Sequence, residues 1–197
     1  MKKLKEIENK NQEYEKYRWF YTSNKHLVIG GKSAEQNEEV INKYKNKDKY
    51  VVMHTKSPGS PFSVILAENP SPKDLEEAAI FTACFSRAWR EGKKREVVDI
   101  FLMEQIIKNK NMQTGTFGVV GPVDRKTIEL RLYSEIQKNK LRFIALNPKN
   151  KESICITPGK INKEQFAEQI AIKLETPKEQ VLSALPSGSF KNSKVLK

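Results

Sequence analysis

Histidine, cysteine and long apolar runs are scarce in this 197-residue chain, and each scarcity excludes a class of protein. The two cysteines, Cys84 and Cys155, lie far apart inside apolar stretches, which fits neither a disulfide framework nor a zinc site. The two histidines, His26 and His54, have no second metal ligand beside them at motif spacing. We therefore expect no bound metal, and reduced, buried thiols of the kind found in cytoplasmic proteins.

Motifs for catalysis and cofactor binding are also missing. The sequence has no nucleophile elbow, no Walker-type loop and no dinucleotide fingerprint. Residues 30–33 end like a phosphate loop but lack the upstream glycine at the required spacing. The basic amino terminus is not followed by an apolar stretch, and no run is long enough to span a bilayer. We predict a cytoplasmic protein with no catalytic residues, no cofactor and no membrane association.

Positive charge is what the sequence has in excess. It carries 36 Lys and Arg residues against 24 Asp and Glu residues, which gives a formal net charge of +12. Such a surplus concentrates polyanions at the surface and speeds their capture. Nucleic acid is the commonest partner of this kind, and anionic membrane is the second. A basic protein with no polyanionic partner remains an alternative, because net charge alone never identifies a partner.

The periodicity of apolar residues predicts an α+β fold. Capping signals predict two main helices, which begin after Ser33 and Ser71, and the second is expected to end near residue 91. Strands rich in aromatic and β-branched residues are predicted at 17–22, 26–29, 50–54, 62–67 and 97–102. These elements predict a mixed, mostly antiparallel sheet flanked by two main helices.

Changes in composition divide the chain into four parts. Residues 1–13 are predicted to be a charged lead-in, and residues 14–121 the main domain. Residues 122–185 are predicted to form a small α+β appendage, which includes one strand at 127–133. Residues 186–197 are polar and are predicted to be a disordered tail.

The loop after the third strand is the first candidate for polyanion binding. His54, Lys56 and Gly59 would bring a cation and exposed backbone N–H groups to a phosphate. Prolines at positions 58 and 61 stiffen this loop, which lowers the entropy lost on binding. A turn whose proline and glycine only set the backbone geometry is an equal alternative.

The densest basic run is the second candidate. It consists of Arg87, Arg90, Lys93, Lys94 and Arg95. Arg87 and Arg90 are three residues apart and therefore share one side of a helix. A solvated helix face would show the same pattern, and that alternative stays open.

Arg18 and Trp19 on the first strand form the third candidate, because both can stack on an unpaired base. Successive strand residues point to opposite faces of a sheet, so at most one of the two reaches a ligand. Tryptophan at such a position is more often a core residue, which leaves Arg18 as the predicted ligand-binding residue.

Several segments, taken together in this order, resemble the NFACT-R domain. Over about residues 14–121 they are Tyr17–Phe20, Leu27–Glu38, His54–Lys56, Pro58–Ser60, Asn69–Pro70, Ala78–Trp89 and Thr114–Gly121. Each piece is weak alone, but the ordered set is specific. Pro61 stands where members of that family commonly have a second histidine, so a contact made by that histidine would be lost here.

The resemblance implies a non-catalytic RNA-binding module, here similar to a stand-alone copy. In larger proteins the module contacts RNA while they act on large ribosomal subunits with a stalled peptidyl-tRNA. We therefore expect tRNA or large-subunit ribosomal RNA as partner, with ribosome-associated proteins as further partners. The expected contacts, mostly to phosphates, come from Arg18, His54, Lys56, Gly59, Arg87, Arg90, Lys93, Lys94 and Arg95. Two alternative functions remain. The chain could be a component of an RNA-modifying or RNA-processing enzyme, or a protein-interaction adaptor in a ribosome-associated complex.

Overall fold

A six-stranded antiparallel sheet is the main element of the computed structural model, which describes residues 13–145 and 153–192. Its spatial order is β1-β2-β4-β3-β5-β8. The strands are β1 (Arg18–Tyr21), β2 (Leu27–Gly30), β3 (Val51–Thr55), β4 (Ser63–Ile65), β5 (Arg95–Leu102) and β8 (Asp124–Glu129). Between β5 and β8 lies a short hairpin of β6 (Ile106–Ile107) and β7 (Gly118–Val119). The predicted α+β class with an antiparallel sheet is confirmed.

Two main helices begin at the predicted caps and lie on opposite faces of this sheet. In α1 (Ala34–Tyr44) the Ser33 side chain accepts a hydrogen bond from the Gln36 backbone N–H. In α2 (Pro72–Cys84) Ser71 and Asp74 form a capping box. Apolar residues of α1 pack with one face of the sheet and those of α2 with the other.

The prediction that the second helix continues to about residue 91 is wrong. Helix α2 ends at Cys84, and a separate turn, α3 (Arg87–Arg90), follows it. Ser86 caps this turn, because its Oγ accepts a hydrogen bond from the Ala88 N–H at 3.1 Å. The Arg87 N–H donates to the Gly59 carbonyl at 2.7 Å and is thus withdrawn from the helical pattern.

A second, four-stranded sheet is formed by the carboxy-terminal part of the chain. Its order is β10-β9-β11-β12, and its strands are β9 (Leu132–Gln137), β10 (Lys140–Ile144), β11 (Cys155–Ile161) and β12 (Phe190–Asn192). Helices α4 (Lys163–Lys173) and α5 (Lys178–Ala184) belong to the same part.

Two predictions about this carboxy-terminal part are wrong. The single strand predicted at 127–133 is two strands, β8 and β9, which belong to different sheets. The chain passes from one sheet to the other at Leu130, whose N–H donates to the Lys94 carbonyl at 2.9 Å. Residues 186–192 are not a disordered tail, since Phe190 is fully buried and its ring stacks on Phe166 at 4.7 Å. Residues 193–197, and the lead-in up to residue 12, lie outside the described residues.

Strand β8 follows the boundary predicted at residue 121 and pairs with β5, so the six-stranded sheet uses residues from both sides of that boundary. Within the described ranges, no helix combines the length and hydrophobicity that crossing a membrane would require.

Candidate nucleic-acid interface

A cleft of about 610 Å³ lies where the loop after β3, the start of α1 and the turn α3 meet. Segment 114–119 closes its remaining side. Six of the nine residues predicted from the sequence line this cleft: Arg18, His54, Lys56, Gly59, Arg87 and Arg90. The fold therefore brings residues from three separate sequence segments to one place.

Hydrogen bonds hold the loop after β3 in one conformation. The Thr55 N–H donates to Ser60 Oγ at 2.9 Å, and Thr55 Oγ1 donates to the Ser57 carbonyl at 2.6 Å. Asn37 of α1 donates from Nδ2 to the Ser60 carbonyl at 3.3 Å and accepts at Oδ1 from the Phe62 N–H at 3.0 Å. Because the chain's own hydrogen bonds fix the loop, little loop entropy remains to be lost on binding.

Gly59 lies against the first residue of α3 and needs to be glycine. Its φ is +103°, a conformation that residues with a Cβ rarely adopt. A Cβ added here would lie 3.1 Å from both Cβ and Nε of Arg87. The loop thus approaches Arg87 closely enough to position its side chain at the cleft.

Arg18 of β1 places a largely buried cation against Phe85, the residue that follows α2. Its guanidinium carbon lies 4.7 Å from the centroid of the Phe85 ring. Burial lowers the pKa of Arg18 to about 10, so the group stays charged at neutral pH. Among the described residues Arg18 has no carboxylate partner. An anionic ligand would supply the missing counter-charge.

Arg87 and Arg90 are exposed on the cleft side of α3, whereas Trp89 between them is buried. This agrees with the prediction that the two arginines share one side of a helix. Neither arginine has an ion pair within the part of the chain that the structure describes. Asp99 is a carboxylate on the cleft wall, but Arg125 Nε donates to it at 2.8 Å. The positive charge of the cleft is therefore not cancelled by that acid.

His54 is a hydrogen-bond acceptor rather than a cation at this site. Burial lowers its pKa, although the Thr55 hydrogen bond and nearby Asp99 partly oppose that effect. In the neutral ring Nδ1 must carry the proton, because it lies 2.6 Å from the Thr55 carbonyl, which only accepts. Nε2 is then left as an acceptor, which suits a hydroxyl or amino group of a ligand better than a phosphate.

Residues that sequence reasoning did not select complete the cleft. Lys32, Asn37 and Phe117 line it, and the Phe117 ring meets Phe62 edge to face at 5.2 Å. Segment 114–117 docks on α1 because the Gly115 N–H donates to a Glu38 carboxylate oxygen at 2.7 Å. Gly115 has a φ of +73°, and a Cβ there would lie 2.6 Å from the Ala34 backbone. The glycine is the signal in the sequence that could have indicated this close contact.

Lys93, Lys94 and Arg95 do not line the cleft. Lys93 forms ion pairs with Glu91 at 3.2 Å and Glu96 at 3.3 Å. Arg95 begins β5 and is exposed, paired in register with Glu129 of β8. The basic run is therefore divided between the cleft and another part of the surface.

Trp19 is 2% exposed and lies in the core, as expected for that strand position.

Over residues 13–145 and 153–192, the acidic, histidine and cysteine side chains form no group of three or more that could hold a metal ion.

A family model described as the NFACT protein RNA binding domain matches residues 16–121. This chain belongs to the NFACT-R family. The match contains five of the six strands of the main sheet and every cleft residue except Ser187. The predicted family resemblance is confirmed.

Curated relatives of this NFACT-R chain are much longer proteins. It is 30% identical over 214 residues to the archaeal Rqc2 homolog aRqcH of Methanocaldococcus jannaschii, covering 95% of this chain and 30% of that protein. It is 39% identical over 82 residues to the ribosome quality control complex subunit NEMF homolog of Drosophila melanogaster, covering 39% of this chain and 8% of that protein. Because it covers 95% of this chain, the archaeal alignment extends beyond residue 121 into the carboxy-terminal part.

The comparison with solved structures matches the C-terminal part of the fibronectin/fibrinogen-binding protein from Streptococcus suis. The two share 24% identity at a TM-score of 0.49, over 58% of this chain and 44% of that one.

Proposed function

We propose that this chain is a non-catalytic RNA-binding module whose main cleft holds a stretch of RNA backbone. The observation that carries the proposal is the convergence of Arg18, Lys32, Arg87 and Arg90 on one preformed cleft. Cations held together without carboxylate partners repel one another, and a polyanion relieves that repulsion. Arginine forks also match phosphate geometry bidentately, which favours phosphates over a simple counter-ion.

The uncharged part of the cleft supports RNA as the polyanion. The partly exposed ring of Phe117, supported by the buried Phe62 ring, offers aromatic surface, on which unpaired bases stack in many RNA complexes. The Nε2 acceptor of neutral His54 suits a ribose 2′-hydroxyl, the group that distinguishes RNA from DNA. The family description, an RNA binding domain, agrees with this assignment.

The names of the relatives support ribosome quality control as the setting of the proposed RNA binding. Two of them are named as an Rqc2 homolog and as a ribosome quality control complex subunit. We infer that this chain contacts tRNA or large-subunit ribosomal RNA in ribosome quality control, with the large subunit or its associated proteins as partners.

A charge-matched pair of variants tests the cleft assignment. Arg87→Gln/Arg90→Gln removes two cations that line the cleft, and Lys94→Gln/Arg95→Gln removes two exposed cations that do not. Binding of labelled tRNA and of large ribosomal subunits would be measured by fluorescence anisotropy across a salt series.

We expect the cleft variant to lower the slope of log affinity against log salt by roughly 1.4–1.8, since each lost phosphate contact is worth about 0.7–0.9. The control is expected to keep the wild-type slope. Equal weakening of RNA binding by both variants would instead show that net charge, rather than the cleft, captures RNA. Absence of binding by the wild type at low salt would refute the function.

A further inference from the structure

A second, smaller cleft of about 250 Å³ lies where the two sheets meet. Its walls come from β1, from β10 of the four-stranded sheet, and from α5. Arg18 and Lys32 line this cleft as well as the main one, so the two clefts share a pair of cations.

Arg142 of β10 adds a third cation to the second cleft. Its guanidinium carbon lies over the Trp19 ring, 4.2 Å from the centroid, at a distance typical of a cation–π contact. Arg142 Nε is buried, and among the described residues it has no hydrogen-bond partner and Arg142 forms no ion pair with a carboxylate. A buried guanidinium N–H without an acceptor is costly, and an acceptor oxygen from a ligand would satisfy it.

The charge of this second cleft is not balanced by its own acid. Glu15 is the carboxylate on its wall, and the Lys140 ammonium donates a hydrogen bond to it. Arg18, Lys32 and Arg142 line this one cleft, and the pKa of Lys32 is lowered first by burial and then by repulsion from the two arginines. Three close cations beside an acid that is already paired form a site for an anion.

We infer that the second cleft binds a further phosphate of the same RNA, with the backbone passing from the main cleft over Arg18 and Lys32 to Arg142. This inference rests on the proposed function. It also assigns a role to the carboxy-terminal part, since Arg142 lies beyond residues 16–121 that the family model covers. Through Arg142 the four-stranded sheet extends the RNA site of the NFACT-R sheet.

The test compares Arg142→Gln with Lys173→Gln. Both changes remove one positive charge from the carboxy-terminal part, but Lys173 is exposed at the end of α4 and lines neither cleft. For Arg142→Gln we expect about a tenfold loss of RNA affinity and a salt slope lower by roughly 0.7–0.9, the change for one phosphate contact. Lys173→Gln is expected to match the wild type in both quantities.

Two further variants separate a lost phosphate contact from a disturbed fold. Arg142→Lys retains the charge without the fork, so it should keep the salt slope while binding RNA more weakly. If thermal denaturation shows that Arg142→Gln is unstable, Arg142→Met takes its place in the binding test. Methionine retains apolar contact with Trp19, and this variant should show the same loss of RNA affinity and of salt slope.

The possible outcomes distinguish the two proposals. If Arg87→Gln/Arg90→Gln weakens RNA binding while Arg142→Gln and Arg142→Met leave affinity and slope unchanged, the second cleft is not a phosphate site and the proposed function stands. If the wild-type chain binds no RNA, both proposals fail together.

Discussion

Replacing Gly59 by alanine perturbs the cleft at the point where its loop contacts α3. At a φ of +103° an L-residue is strained by about 1–3 kcal/mol. The new Cβ would also lie 3.1 Å from two atoms of Arg87, so the loop or the arginine must move by a few tenths of an ångström. We estimate a total destabilisation of about 2–4 kcal/mol, which corresponds to a Tm lower by roughly 4–16 °C for a chain of this length.

Gly92→Ala is the matched control for this substitution. Gly92 also has a positive φ, +70°, but a Cβ there meets nothing within 4 Å and Gly92 does not line the cleft. Alanine restricts the unfolded chain equally at both positions, so that contribution cancels in the comparison. We expect Gly92→Ala to cost only about 1–2 kcal/mol, since its φ is close to the left-handed helical region.

Thermal denaturation and RNA titration of both variants would test this reasoning. At a temperature where both are folded, Gly59→Ala is expected to bind RNA about tenfold more weakly. This is about 1.4 kcal/mol of binding free energy, lost because the displaced Arg87 no longer contacts the RNA. Gly92→Ala should bind like the wild type. The same Tm and the same RNA affinity for both variants would show that close contact between the loop and Arg87 is irrelevant to the site.

Three further predictions concern stability. Burial lowers the pKa of His54, so at acidic pH the unfolded chain binds a proton that the folded chain does not. The free energy of unfolding in urea should therefore fall as the pH drops below about 6.5. It should fall less in the variant His54→Gln, which lacks this group. Asp74 is fully buried and accepts hydrogen bonds from the Ser71 N–H at 2.8 Å and from Asn24 Nδ2 at 3.1 Å. Asp74→Ala should therefore lower the free energy of unfolding in urea by about 2–4 kcal/mol. An unchanged urea midpoint would refute that role. Phe190→Ala should cost about 3–5 kcal/mol by the same assay, whereas a dispensable tail would give no change.

Local chemistry predicted the starts of the main helices and the first two strands well. Ser33 and Ser71 cap their helices as expected, since capping depends on residues three positions apart. Prediction failed where distant contacts decide the structure. The carbonyl of Gly59 helps to separate α3 from α2, and Phe190 becomes ordered because it packs on Phe166.

The candidate site could be predicted only in part for the same reason. Basic residues in conspicuous local settings, such as Arg18, Arg87 and Arg90, line the cleft. Lys32 and Phe117 reach the same cleft because the loop between β2 and α1 and the docked segment 114–117 bring them there, and no sequence spacing encodes that proximity. Residues 93–95 share the charge of their neighbours, but α3 ends before them and β5 begins at Arg95.

Protection of lysines on RNA binding tests the central claim most directly. The chain would be acetylated briefly with and without saturating tRNA or large ribosomal subunits, and the modification of each lysine quantified by mass spectrometry. Lys32 and Lys56 line the main cleft, whereas Lys94 and Lys173 are exposed elsewhere. We predict that RNA protects Lys32 and Lys56 and leaves Lys94 and Lys173 reactive; uniform protection, or protection of Lys94 alone, would contradict an RNA site in this cleft.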